Sequence, residues 1–218
     1  MRVGILGGTG PAGRGLALRL AVAGIPSVIG SRDPDRAKEL AGHLREEWPE
    51  HDLKIDGAAN EEVAQCDIVV VATPWEGVVS TLKPLAAPLA GKVVISIVNA
   101  LAKEGREFLA LVPPRGSMAA TIQAVLPGSL VSASFHHLPA SELGKLDVGL
   151  EGDVLVCSDH ADATRATVDL IDAIGGLRGV DAGSLSQAAP IEAFTAVLIS
   201  VNIRYKVHST VVLAGLDS

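Results

Sequence analysis

The chain has 218 residues, of which 48% are hydrophobic and 20% charged, and it carries a formal net charge of −7 with no basic run. These figures describe a well-packed globular protein with one sizeable core; they argue against a disordered segment and against a nucleic-acid-binding surface. Two cysteines in apolar settings, Cys66 and Cys157, have no metal-type or redox-type spacing and read as reduced core thiols of a cytoplasmic protein.

The first predicted element is a strand at 2–6, running directly from Met1, so no secretory signal is expected. It enters a glycine-rich turn and then a helix over 11–23. Gly8, Gly10 and Gly13 match the G-x-G-x-x-G spacing, and the strand–turn–helix context makes the match meaningful. Glycines allow a tight turn and close approach of a pyrophosphate, whose charge then meets the free N–H groups at the helix start. A second strand is expected at 26–30. At its end an NAD enzyme usually carries an acid for the ribose 2′-hydroxyl. Here Gly30 and Ser31 stand in that place, and Arg32 follows, with Arg36 one helical turn further on. Two guanidinium groups on one face, with the hydroxyls of Ser31 and Thr9, describe a 2′-phosphate pocket and hence NADP(H). Asp33 before Pro34 reads as the cap of a helix over 34–47.

Strands are then expected at 53–56, 67–73, 92–98, 129–134, 153–157 and 178–182, with helices over 58–65, 75–87, 117–126, 161–175 and 187–212. Continuously apolar runs such as 68–72 and 93–98 fit strands covered on both faces. Their alternation with helices predicts an α/β, Rossmann-type doubly wound parallel sheet. A small C-terminal α/β extension ending in a long apolar helix completes it, giving an NADP-binding core over 1–134 and a smaller unit over 135–218. The apolar stretch at 193–203 is too short to cross a bilayer and reads as a buried helix. Its greasy surface exceeds what one small sheet can cover, which predicts a homodimer.

Two further segments end strands, where ligands of open α/β sheets gather. Thr73-Pro74-Trp75-Glu76 offers a large aromatic that either borders the dinucleotide or packs beneath the loop. Phe135-His136-His137-Leu138-Pro139-Ala140 brings two histidines into an apolar turn. Adjacent histidines are poorly placed for a metal, and no Ser–His–acid template accompanies them. The turn suits a flat heteroaromatic ring, and a purely structural histidine is the alternative.

Taken together, residues 7–21, Gly30-Ser31-Arg32, 73–76, 135–140 and Leu177 through Leu185 resemble the NADP-dependent reductases of the deazaflavin coenzyme F420 over essentially the whole chain. The resemblance implies hydride exchange between NADPH and the 8-hydroxy-5-deazaflavin ring, with both coenzymes as small-molecule partners. It implies that Thr9, Gly10, Pro11 and Ala12 hold the pyrophosphate, and that Ser31, Arg32 and Arg36 hold the 2′-phosphate. Trp75, Val79, Leu101 and Ala140 then line the nicotinamide half, and His136 and Leu138 sit against the meeting rings, with His136 a candidate proton relay. No membrane, nucleic-acid or metal partner is expected. A non-catalytic NADP(H) sensor and another small NADPH-dependent reductase, acting on an imine or a ferric chelate, are the alternative readings.

Overall fold

The computed structural model describes residues 1–216; Asp217 and Ser218, the end of the expected C-terminal unit, lie outside the described residues. Ten strands are described: β1 (Val3–Leu6), β2 (Ser27–Ser31), β3 (Ile55–Ala59), β4 (Ile68–Val71), β5 (Val93–Ser96), β6 (Leu101–Glu104), β7 (Glu107–Ala110), β8 (Leu130–Ala133), β9 (Gly152–Ser158) and β10 (Leu177–Asp181). Eight of them form one sheet in the order β10-β9-β8-β5-β4-β1-β2-β3, while β6 and β7 pair as a separate hairpin. The helices are α1 (Pro11–Val22), α2 (Pro34–Glu47), α3 (Asn60–Val63), α4 (Val78–Leu82), α5 (Ala86–Leu89), α6 (Met118–Val125), α7 (Ala140–Leu143), α8 (Ala161–Asp172) and α9 (Ala188–Tyr205).

The strands feed two cores through their two-residue period. Val3 and Ile5 of β1, with Ile68 and Val70 of β4, face α1, α2 and α8; Leu6, Val69 and Val71 face α3 to α6 and the start of α9. Both faces are covered, which explains why these strands read as unbroken apolar runs. At the start of α2, the Asp33 carboxylate accepts hydrogen bonds from the Asp35 and Arg36 N–H groups at 3.2 and 3.3 Å, as its place before Pro34 predicts. Because β1 lies between β2 and β4, the chain winds away from it in both directions. A crevice therefore opens beyond its carboxyl end.

Four departures from expectation have physical causes. The strand between β8 and β10 runs the other way: β9 pairs antiparallel with β8 through Ser132↔Ser158 and Ala133↔Cys157, and β10 is parallel to β9. A parallel return usually runs through a helix packed on the sheet face, whereas 134–151 holds only the four-residue α7, so the chain turns back and enters β9 in the opposite direction. The helix expected over 75–87 is split into short turns separated around Pro84 and Pro88, since a ring in place of an N–H interrupts the ladder. Finally, α9 ends at Tyr205 rather than near 212, because Lys206 adopts a left-handed conformation with φ 54°. The tail then runs beside β9, where the Asp153 N–H donates to the Val211 carbonyl at 2.8 Å. The β6–β7 hairpin is a further departure: the apolar run at 108–112 contributes to its second strand, and Gly105 at φ 60° makes its turn. It lies against α9. Among the described residues no helix is long and apolar enough to cross a membrane.

Candidate functional site

The turn after β1 brings the start of α1 almost onto the strand end. Gly7 is left-handed at φ 66°, and a Cβ there would stand 2.9 Å from the Cα of Thr73. A Cβ on Gly13 would stand 2.7 Å from the Cα of Gly8, so the helix can approach only as glycine. The Gly8 N–H is shared between the Ile5 and Gly30 carbonyls, at 3.1 and 3.0 Å, which locks the turn to the ends of β1 and β2. No side chain caps α1, and Pro11 occupies its first turn. Its orphan N–H groups are left for a ligand.

Beyond these strand ends lies a cleft of about 890 Å³. Thr9, Gly10, Pro11, Ala12 and Gly13 form its floor, and Ser31, Arg32 and Arg36 border it together. Ser31 Oγ accepts from the Asp33 N–H at 3.1 Å, which leaves its own hydrogen free to donate. Both arginines are exposed at the mouth. Of the expected residues, Gly8 is buried beneath the turn and lines nothing, whereas Trp75 and Val79 are not brought into either cavity. Trp75 packs against the second core, and Val79 faces outward on α4. Gly77, Ser80 and Thr81, at helical spacing on the other face of the same segment, border the cleft instead.

The sequence assigns no role to two polar side chains bordering this cleft, although Thr73 lies in a strand-end segment read from it as ligand-facing. Asn60 Oδ1 and Thr73 Oγ1 are buried there, and neither has a hydrogen-bond partner. Each stands at the carboxyl end of a strand, which was the available signal.

A second cavity, about 440 Å³, adjoins the cleft and shares Ala12 with it. Leu16, Leu101, Leu138 and Ala140 make its apolar wall, Leu198 and Ile199 of α9 face them, and His136 lies at its base. The segment carrying His136 is unusually constrained. Phe135, buried, has φ 60°, a left-handed conformation that costs an aromatic residue strain. The His136 carbonyl accepts from Thr195 Oγ1 at 3.1 Å and from Asn99 Nδ2 at 3.3 Å. His137 also borders the cavity, but its Nε2 donates to the Asp153 carbonyl at 2.8 Å, which ties its ring to β9. The Asp153 carboxylate in turn holds Arg178 by two bonds, at 2.6 and 2.9 Å, and accepts the Leu213 N–H of the tail.

His136 itself is 3% exposed, and neither ring nitrogen has a partner. Burial, with His137 beside it, pushes its pKa down to about 3. The ring is therefore neutral at working pH and presents one donor and one acceptor. Glu192 behaves oppositely. Burial pushes its pKa up to about 7, although both carboxylate oxygens accept backbone N–H groups, of Met118 at 2.7 Å and Ala119 at 3.0 Å. This contact fixes α9, and with it one wall of the second cavity, to the start of α6.

A profile of the family described as "NADP oxidoreductase coenzyme F420-dependent" matches residues 2–100. The F420-dependent NADP reductase of Methanocaldococcus jannaschii is 38% identical over 215 residues, covering 96% of each chain. The chain belongs to the F420-dependent NADP reductase family. The reductase of the same description from Methanothermobacter marburgensis is 34% identical over 214 residues, again 96% of each chain. The fold agrees: a crystal structure assigned as an F420-dependent NADP-reductase of Arthrobacter sp. FB24 superposes with a TM-score of 0.82 at 27% identity, over 98% of this chain and 99% of that one. This is a family of oxidoreductases, and the residues found here suit its two coenzymes. The uncapped helix start and the unpaired Asn60 and Thr73 suit a dinucleotide; the unpaired His136 in a mainly apolar cavity suits a heteroaromatic ring.

The buried imidazole has a measurable consequence. Unfolded, His136 takes up a proton below about pH 6.5; folded, it does not until about pH 3. The stability it contributes is complete above the upper value and is lost as pH falls between the two, on the order of 2 kcal/mol by pH 5. Glu192 acts with the opposite sign but is common to any pair of proteins differing only at 136. Denaturant unfolding at pH 7 and pH 5 should therefore show a smaller acid loss in His136→Gln than in the parent. Equal losses would mean the ring is not buried neutral.

Proposed function

We propose that this chain transfers a hydride between NADPH/NADP+ in the cleft and the 8-hydroxy-5-deazaflavin ring of coenzyme F420 in the adjoining cavity, with the two rings stacked directly on each other. The observation that carries this reading is His136: a buried ring with two unpaired nitrogens, at the base of a mainly apolar cavity that adjoins the dinucleotide cleft at Ala12. An unpaired buried polar group costs free energy in the empty protein and recovers it when a ligand supplies the partner.

The bound coenzymes supply the hydride chemistry, and the protein supplies position. Thr9, Gly10, Pro11, Ala12 and Gly13 hold the pyrophosphate at the start of α1. Ser31, Arg32 and Arg36 hold the 2′-phosphate. Leu101, Leu138 and Ala140 hold the ring region and exclude water, and His136 fixes a ring edge. A ring neutral down to about pH 3 does not store a proton at neutral pH, so His136 acts by positioning rather than as a charged relay. Residues 135–218 complete the deazaflavin pocket as a small unit on the NADP-binding core of 1–134.

The chain further reads as a cytoplasmic homodimer. Both cysteines are buried free thiols. Phe194 (42% exposed), Val197 (53%) and Tyr205 (69%) leave apolar surface on α9 beside the β6–β7 hairpin.

Three measurements test the reading. Mixing the protein with NADPH and oxidised F420 should bleach the deazaflavin's visible absorbance in a protein-dependent way; NADPH binding without bleaching would overturn it. Arg32→Ala should weaken NADPH by about 1.5–3 kcal/mol and leave NADH unchanged, since one charge-assisted bond is removed. Equal loss for both dinucleotides would misplace the 2′-phosphate. Sedimentation should give twice the chain mass for the parent and the single mass for Val197→Glu, and a single mass for the parent would remove the dimer.

A further inference from the structure

We propose that the Asn60 carboxamide reads the adenosine ribose, its Oδ1 accepting the hydrogen of the 3′-hydroxyl next to the 2′-phosphate. The proposal rests on the reading that the cleft binds NADP(H), and it adds a neutral contact to the charged set already described.

Asn60 opens α3 at the carboxyl end of β3 and is 6% exposed. The ordinary employment for an asparagine in that position is to cap the helix, yet the cap residue is Ala59 and no side-chain bond is made there. A buried structural asparagine normally pairs its carbonyl with a backbone N–H; here Oδ1 pairs with nothing. Its place is set by the neighbouring strand. A Cβ on Gly30 would stand 2.8 Å from Asn60 Oδ1, so the carboxamide lies over the one residue of β2 that has no side chain. The next residue is Ser31, and Asn60, Ser31, Arg32 and Arg36 all border the same cleft.

That neighbourhood limits what the oxygen can meet. A phosphate at neutral pH offers acceptors only, so the serine hydroxyl and the two guanidinium groups suit it and a carbonyl oxygen does not. A carbonyl placed there needs a donor. In a 2′-phosphorylated adenosine the donor adjoining the phosphate is the ribose 3′-hydroxyl. Gly30 thus has a second consequence besides withholding the acid of an NAD site: it makes room for a neutral acceptor that fits the sugar.

The test is calorimetric titration with adenosine 2′,5′-bisphosphate and its 3′-deoxy analogue, against the parent protein and Asn60→Ala. The parent should bind the complete ligand about tenfold more tightly than the analogue. Asn60→Ala should lose that preference while holding the analogue within about twofold of the parent, with an unchanged melting temperature. Asn60→Asp, which sets a carboxylate beside the phosphate, should bind the bisphosphate more weakly than Asn60→Ala does. Equal weakening of both ligands by Asn60→Ala, or no weakening of either, overturns the proposal and leaves the cofactor reading standing. Equal affinity of the parent for both ligands also overturns it, whether or not any variant folds. Failure of the parent to bind the bisphosphate at all overturns the cofactor reading and this one with it.

Discussion

The site depends on how closely one helix is pressed to one strand end. Where Gly13 meets Gly8 there is no room for a single added carbon, and Gly7 turns the chain through a conformation that other residues resist. That contact directs the uncapped start of α1 into the crevice beside β1. It also sets Ala12 at the junction where the cleft meets the second cavity. A looser turn would move the helix away from the strands and separate the two spaces.

The features that were legible in the sequence are those with a local cause. Continuous apolar runs marked strands covered on both sides, Asp33-Pro34 marked a helix start, and Ser31-Arg32 marked a stretch that borders the cleft. The features that were not legible come from what one segment finds in another. Nothing local at 152–158 says that β9 is antiparallel to β8; that follows from the shortness of α7. Trp75 and Val79 stand in the right stretch of chain, but on faces that turn away from the cleft. His136 and His137 look alike in sequence, and only the fold distinguishes them. One ring is bonded to Asp153 and the other is left unpaired in the cavity.

The wall made by α9 shows how a helix of low polarity is held in one register. Apolar contact alone permits sliding. Glu192 pins the helix to two N–H groups at the start of α6, while Thr195, one turn on, bonds the His136 carbonyl. Directional bonds at these two points specify which residues face the cavity, at the cost of burying a carboxylate.

Arg19 has no part in binding, yet it connects the two halves of the site. From the far end of α1 its guanidinium reaches the carbonyls of Glu142 at 2.9 Å, Leu143 at 3.1 Å and Val148 at 2.8 Å, and also that of Lys145. Residues 144–151 contain no regular element, so this fork stands in for a backbone ladder. The segment beyond the cavity therefore hangs from the same helix whose opposite end forms the floor of the cleft. α1 also packs directly on α7, so the cleft floor at the start of α1 and the cavity wall at Ala140 and Leu143 belong to one packed piece rather than to two parts that close on each other.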